Sequence, residues 1–382
     1  MPVILDIIQK RYDHSPELYE IYHKIANNQR LSKEDGLKLY NCSDILYIGA
    51  LADFARINRF QSSDKSSEEN YVYWINNHHL NITNICEGKC KFCAYRKKEN
   101  EAGAFIYSLE EAINYINNEV DKNIKELHIV SAVNPKCDLN YYVNLLKACK
   151  KALPNTHVQG FTPVEIDYLA KTSDLSAKEI LIELKEAGLG SLPGGGAEIF
   201  SEKIRKEVCP EKISGERWLE IMKTAHLLGL KSNATMLTGI GETNEDKINH
   251  MLALREIQDK TSGFMAFIPL VCHYENTELV NYDEPTGIDI LKDYAISRLM
   301  LDNIPHIKAF WIQIGKKLAQ ISLSFGVDDL DGTVIQEKIT HSAGATTGQT
   351  IYKEELINLI NRANKIPVER DTIYNIIEVY SP

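Results

Sequence analysis

From about residue 70 onward the sequence alternates short β-branched and aromatic runs with amphipathic helical stretches, and this alternation narrows the available folds more than any other feature. Runs with strand character are Val72–Ile75 with Leu80–Asn84, then Leu127–Ser131, His157–Phe161, Leu189–Leu192, Lys231–Leu237, Phe264–Pro269, Ile307–Trp311 and Ile321–Phe325. Apolar residues recur at helical spacing between most of them, over Leu109–Val120, Tyr141–Ala152, Ala177–Ala187, Gly215–Leu228, Glu245–Asp259 and Ile288–Leu301. Gly188 and Gly229 stand where such helices stop. Strands alternating with helices call for a parallel sheet with helical crossovers. About eight βα units favour an α/β fold of the (βα)8 TIM-barrel type, with an open doubly wound sheet as the second choice.

Ahead of this region, Leu18, Ile21 and Ile25, and then Ile45, Ile48 and Leu51, repeat at helical spacing on either side of a Leu-Ser-Lys-Glu-Asp helix-start signal at 31–35. The expected organisation is an N-terminal helical extension over 1–65, the barrel over 66–345, and a C-terminal helical extension over 346–382. A hydrophobic fraction of 44% and a charged fraction of 25% support a buried core. The net charge of -10 argues against a nucleic-acid partner, which needs concentrated basic surface. The basic run Arg96-Lys97-Lys98 reads as a solvated loop. No apolar run reaches the roughly 18 residues of a membrane helix, and the N-terminus becomes charged too soon for a secretory signal. A cytoplasmic protein with no membrane partner is expected.

Eight cysteines are unevenly spread, and three of them, Cys86, Cys90 and Cys93, fall at spacings of four and three directly after the first strands. Cys42, Cys137, Cys149, Cys209 and Cys272 are scattered and read as small buried apolar residues. Loops at the C-terminal mouth of a barrel carry active sites. Three thiolates there suit a 4Fe-4S cluster that keeps one iron open, because soft sulfur selects iron–sulfur or zinc. A structural zinc site would need a fourth ligand, for which His78 and His79 stand nearby. An electron-transfer or regulatory iron–sulfur protein is the alternative outside enzymes, and it leaves the glycine-rich strand end described next without a role.

The Cx3Cx2C spacing, followed by the barrel pattern, resembles the radical S-adenosylmethionine (SAM) superfamily. Further segments sharpen the likeness: Gly188-Leu-Gly-Ser-Leu-Pro193-Gly194-Gly195-Gly196-Ala-Glu198, Cys209-Pro-Glu-Lys-Ile, Lys231 to Thr243, Phe267-Ile-Pro-Leu with Glu275-Asn-Thr-Glu-Leu, and Asp328-Asp-Leu-Asp-Gly332-Thr. Together they resemble the aminodeoxyfutalosine synthase family of the futalosine route to menaquinone, over about residues 70 to 345. Two sister families share the triad and the triple glycine: the cyclic dehypoxanthinylfutalosine synthases and the deazaflavin-precursor synthases.

The resemblance implies that the open iron chelates SAM, whose cleavage yields a 5′-deoxyadenosyl radical, and that Phe92 and Tyr95 border the adenine. Physically, Gly194 and Gly195 permit close approach of backbone to a ligand. Glu198 and Glu242 follow strand ends, where each could accept from ribose hydroxyls or the SAM ammonium, or merely sit at a helix N-terminus. Where relatives carry paired glycines, this chain has Ser131-Ala132-Val133-Asn134-Pro135, and Ser131 can add a hydroxyl contact. Gln159, Thr162 and Glu165 are further pocket candidates beside capping roles. The implied substrate, 3-[(1-carboxyvinyl)oxy]benzoate, is an aromatic dicarboxylate. It asks for cationic or hydrogen-bonding partners, with His273, Asn276, Arg205 and His341 as candidates and Trp311 as a stacking surface. An unidentified one-electron donor completes the implied partners.

Overall fold

The structure, a computed structural model, describes residues 8, 16–61, 68–280 and 282–380. Its first helices are α1 (Pro16–Ala26), α2 (Lys33–Asn41) and α3 (Ile45–Gln61). The start signal read in the sequence works as expected: the Ser32 hydroxyl accepts from Asp35 N while the Asp35 carboxylate accepts from Ser32 N. The last two pack against the helices over Asn244–Thr261 and Gly287–Met300. Gly36 of α2 lies against Ile248 and Met300, and Gly49 of α3 lies against the Phe325 ring.

Strands and helices then alternate. The order is β1 (Tyr71–Ile75), β2 (Asn77–Leu80), α4 (Leu109–Asn118), β3 (Glu126–Ile129), α5 (Leu139–Ala152), β4 (His157–Gly160), α6 (Pro163–Ser173), α7 (Ala177–Ala187) and β5 (Ser191–Leu192). Next come α8 (Glu202–Val208), α9 (Gly215–Leu227), β6 (Lys231–Thr238), α10 (Asn244–Thr261), β7 (Phe264–Val271), α11 (Gly287–Met300) and β8 (His306–Ile307). Strands β2 to β8 form a seven-stranded sheet in sequence order, and every pairing within it is parallel.

The ring is closed by β9 (Asp329–Gly332), which follows the short helices α12 (Trp311–Ile314) and α13 (Lys316–Ser322). Asp328 N donates to Ile307 O at 3.2 Å and Ala309 N to Asp329 O at 2.8 Å on one side. On the other, Thr333 N donates to Ile75 O at 3.1 Å and His79 N to Ile335 O at 2.9 Å. The α/β barrel class is therefore as expected, but its closing strand is not. Ile321–Phe325, read as a strand, is the end of α13 and the turn after it. Similarly, Trp311 begins a helix and does not end β8.

The closing strand escapes an apolar reading because it is acidic, and its carboxylates are buried as ion pairs. Asp328 pairs with Arg298 at 2.7 Å, Asp329 with Arg370 at 2.7 Å and Asp331 with Lys308 at 2.9 Å. After α14 (Ile339–Ser342) and α15 (Lys353–Asn361), the chain ends in strands β10 (Ile366–Arg370) and β11 (Ile376–Val379), where helices were expected. β10 pairs in parallel with β1, and β11 pairs antiparallel with β10, giving a second sheet ordered β11-β10-β1-β9. Alternating β-branched residues around an Asp371–Asn375 turn account for the pair of strands.

Candidate active site

The segment after β2 is drawn into a loop by Asn84. Its side-chain amide donates to Gly103 O at 2.9 Å while its carbonyl accepts from Phe105 N at 2.8 Å. Within that neck, Cys86 N donates to Lys97 O at 3.1 Å and Cys93 N to Cys90 O at 3.1 Å. The loop is also anchored to its surroundings: Lys91 N donates to Val208 O at 2.8 Å, Glu278 N to Lys91 O at 2.7 Å, and Glu87 N to Val133 O at 3.0 Å. Backbone bonds thus hold the loop over the strand ends, and Cys86, Cys90 and Cys93 all face one cavity. The opposite walls come from residues just beyond β3, β4, β5 and β7, together with Gln313 and the 339–343 segment.

The residues fit an iron–sulfur cluster. All three sulfurs are free thiols, with no disulfide between them. Burial pushes the Cys90 thiol up to about 12, so binding iron must displace its proton. Among the described residues, no three Cys, His, Asp or Glu side chains converge on a single-ion site. A structural zinc site would need a fourth ligand beside the three thiols, whereas a cluster with one open iron needs only three. His78 is occupied by the Tyr115 hydroxyl at 2.8 Å, and His79 stacks on His128 inside the barrel. Cys272, at the end of β7, also borders the cavity, with its Sγ 3.4 Å from the His273 carbonyl oxygen.

Of the residues singled out from sequence, Phe92, Tyr95, Ser131, Gly195, Glu198 and His273 border this cavity with the thiols. Glu198 adopts a positive φ of 48°, and its carboxylate is paired with Lys212. Lys212 lies 5.1 Å from the centre of the Phe92 ring. Burial works against its charge, but the Cys90 sulfur and the Glu198 carboxylate hold its ammonium above the ordinary range. Lys212 was missed as a site residue, although it stands inside the Cys-Pro-Glu-Lys-Ile segment. Arg96, read as part of a solvated loop, is likewise a cavity residue, and only its outer edge meets Glu278, at 2.7 Å.

Thr162 and Glu165 combine both roles considered for them. The Glu165 carboxylate caps α6 by accepting from Thr162 N at 2.7 Å and the Thr162 hydroxyl at 2.9 Å, and also accepts from Ser131 N at 3.2 Å. It borders the cavity, and burial pushes its carboxyl up to about 7 against those bonds. The Ser131 hydroxyl accepts from Ile82 N at 2.7 Å, which ties the segment after β3 to the one after β2 and leaves its O–H to donate. His273 Nε2 donates to Gln313 O at 3.0 Å, which fixes its ring at the cavity wall.

The remaining candidates are not among the residues that line this cavity. Gln159 points into the barrel, where its amide donates to the Ser191 hydroxyl at 3.1 Å. Gly194, at φ 89°, is needed for packing: a Cβ there would stand 2.4 Å from Asn233 O. Glu242 accepts from Gly239 N and Ile240 N, both at 2.9 Å, and serves the turn after β6. Arg205 is spent on backbone carbonyls, donating to Ala197, Ile199 and Ile213. Asn276 lies on an outer recess and donates to Ser342 O at 3.2 Å. His341 is held by Glu337 and Thr347 O, and the Trp311 indole donates to Gly332 O at 2.8 Å within the core.

A parallel barrel with three thiols on the loop after its first barrel strand defines a class. The chain belongs to the radical SAM superfamily: residues 80–254 match the model of that superfamily, and residues 261–381 match the CofH/MqnC C-terminal region. It is 40% identical to the aminodeoxyfutalosine synthase of Thermus thermophilus, over 96% of this chain and 97% of that one. It is also 38% identical, over 80% of this chain and 89% of the relative, to 5-amino-6-(D-ribitylamino)uracil–L-tyrosine 4-hydroxyphenyl transferase of Archaeoglobus fulgidus. Cyclic dehypoxanthine futalosine synthase of Halalkalibacterium halodurans is 35% identical over 94% of this chain and 95% of its own. The fold is that of methylornithine synthase, with a TM-score of 0.71 at 16% identity, covering 91% of this chain and 97% of that one. Membership implies an iron–sulfur cluster, SAM, a source of electrons and a small-molecule substrate, in an enzyme that forms carbon–carbon bonds. No helix among the described residues is long and apolar enough to cross a membrane.

Proposed function

We propose that the chain is an aminodeoxyfutalosine synthase that uses a 4Fe-4S cluster on Cys86, Cys90 and Cys93 to join SAM-derived deoxyadenosine to 3-[(1-carboxyvinyl)oxy]benzoate. The observation that carries the reading is similarity along nearly the whole chain to an enzyme of that name, together with a thiol-lined cavity that has apolar walls and cationic edges. Cys86, Cys90 and Cys93 would hold the cluster, and cluster and SAM would supply a 5′-deoxyadenosyl radical for addition to the enol-ether carbon; reaching 6-amino-6-deoxyfutalosine would also require loss of the carboxyl group as carbon dioxide together with one electron.

The chain itself binds, orients and excludes water. Gly195 and Gly196 line the cavity with backbone, and Val164 packs so close that a Cβ on Gly196 would meet it at 2.6 Å. Phe92, Val130, Val133, Val164, Leu237 and Val271 make the walls apolar, which suits an aryl ring and protects a radical from water. Lys212 and Glu198 neutralise one another beside the thiols. Glu165, with a carboxyl near neutrality, can accept a hydrogen bond when ionised and donate one when protonated.

The test is anaerobic reconstitution followed by addition of reductant, SAM and the enolpyruvyl-oxybenzoate, with products read by mass spectrometry beside a Cys90→Ala control. Aminodeoxyfutalosine formed by the intact protein alone is the expected result. Release of 5′-deoxyadenosine without that adduct would sink the substrate and point to the sister reactions on a tyrosine-derived fragment or on dehypoxanthine futalosine.

A further inference from the structure

Three side chains of basic residues border the cavity, Arg96, Lys212 and His273. Two are committed within the protein. Lys212 is closed off by the Glu198 carboxylate, and His273 Nε2 donates to the Gln313 carbonyl. Arg96 differs. One edge of its guanidinium, Nη2, reaches outward to Glu278 at 2.7 Å, and that carboxylate is 63% exposed. Its Nε is buried and has no hydrogen-bond partner among the described residues. A surface ion pair is screened and contributes little, whereas a buried N–H without a partner is costly. The guanidinium is thus weakly held outside and unsatisfied inside.

Arg96 also stands at a boundary. It borders both the thiol-lined cavity and the outer recess formed with Asn276, Thr277, Glu278 and Ser342. Cys93 and Ala94 line both as well, so Arg96 stands beside the cysteine loop where the two adjoin. The planar guanidinium is suited to take a carboxylate through two parallel N–H bonds.

We propose that Arg96 is the residue that selects a carboxylate-bearing substrate: its guanidinium leaves Glu278 and receives one carboxylate of the ligand at the cavity mouth. This inference rests on the dicarboxylate reading of the substrate. Glu278 only occupies the outer edge of the free guanidinium and takes no part in holding the ligand.

The test compares wild type, Arg96→Gln, Arg96→Lys and Glu278→Gln as reconstituted, reduced enzymes, with iron content measured for each. In Arg96→Gln the KM for the dicarboxylate rises at least tenfold and the KM for SAM rises less than twofold. Arg96→Lys recovers part of the loss. Glu278→Gln stays within twofold, which separates substrate binding from a strut between the two side chains. Analogues lacking either the benzoate or the enolpyruvyl carboxylate tell which group is held, because the Arg96→Gln penalty disappears for the analogue that lacks it. A substrate KM within twofold of wild type in Arg96→Gln overturns the inference, as does a penalty confined to the KM for SAM. If Arg96→Gln fails to retain iron, Arg96→Lys decides by the same two criteria, since it keeps the charge but lacks the fork. Wild-type protein that forms no adduct from the dicarboxylate refutes the proposed function instead, whatever the variants do.

Discussion

Arg205 donates to the carbonyls of Ala197, Ile199 and Ile213, and so holds the loop that follows the triple glycine in one shape. A sequence offers no means to tell such an arginine from one that meets a substrate carboxylate, because the two differ only in what surrounds the guanidinium. The same holds for Glu242, whose two oxygens are both taken by backbone N–H groups. Arg205→Ala leaves several buried carbonyls without donors and is expected to lower unfolding stability by on the order of 3 kcal/mol. Denaturant unfolding followed by circular dichroism measures this. In the fraction that folds, the KM for the aromatic dicarboxylate stays within twofold of wild type. An unchanged unfolding midpoint combined with a large rise in KM would return Arg205 to the list of substrate ligands.

Among the elements, the cysteine loop is the one whose chemistry was legible before its shape. Thiol number and spacing point to the proposed ligands, but nothing in the spacing tells that Asn84 closes the neck by bonding Gly103 O and Phe105 N. Local signals were legible where the chain satisfies itself over a few residues, as in the helix start at 31–35, where Ser32 and Asp35 form a capping box. They failed where the partners are remote. Asp328-Asp-Leu-Asp-Gly shows no apolar strand pattern, and its carboxylates are paired only when Arg298, Arg370 and Lys308 are brought to it by the fold. Glu165 was left between capping and lining the pocket because it does both. Asn84→Ala frees the neck, and the expected outcome is iron content reduced by half or more after reconstitution and gel filtration, with far-ultraviolet circular dichroism unchanged. Full iron retention would show that the bonds from Lys91 and Glu87 to Val208 and Val133 suffice to hold the loop.

For the whole molecule, closure of the barrel depends on charges buried at the seam. Asp328 accepts from Arg298 Nη2 at 2.7 Å, from Ile307 N at 2.9 Å and from His306 Nδ1 at 3.0 Å, so one carboxylate joins α11, β8 and the closing strand. Burial alone would raise its pKa, but the Arg298 guanidinium and His306 hold it well below the usual carboxylate range. A depressed carboxylate contributes stability that is present above the unfolded pKa, about 4, and is lost as pH falls below it. Arg298→Met removes the charge but keeps much of the bulk, and a buried carboxylate without its partner costs about 3–5 kcal/mol near pH 7. Without the guanidinium, the Asp328 pKa rises, and protonation of either Asp328 or His306 relieves the unpaired charge. The deficit must therefore shrink as pH falls from 7 toward 5. Denaturant unfolding of wild type and Arg298→Met across that range measures it. A deficit that is constant with pH would mean that Arg298 acts through its bonds to the Gly326 and Pro305 carbonyls, and that the seam is held by packing and not by charge.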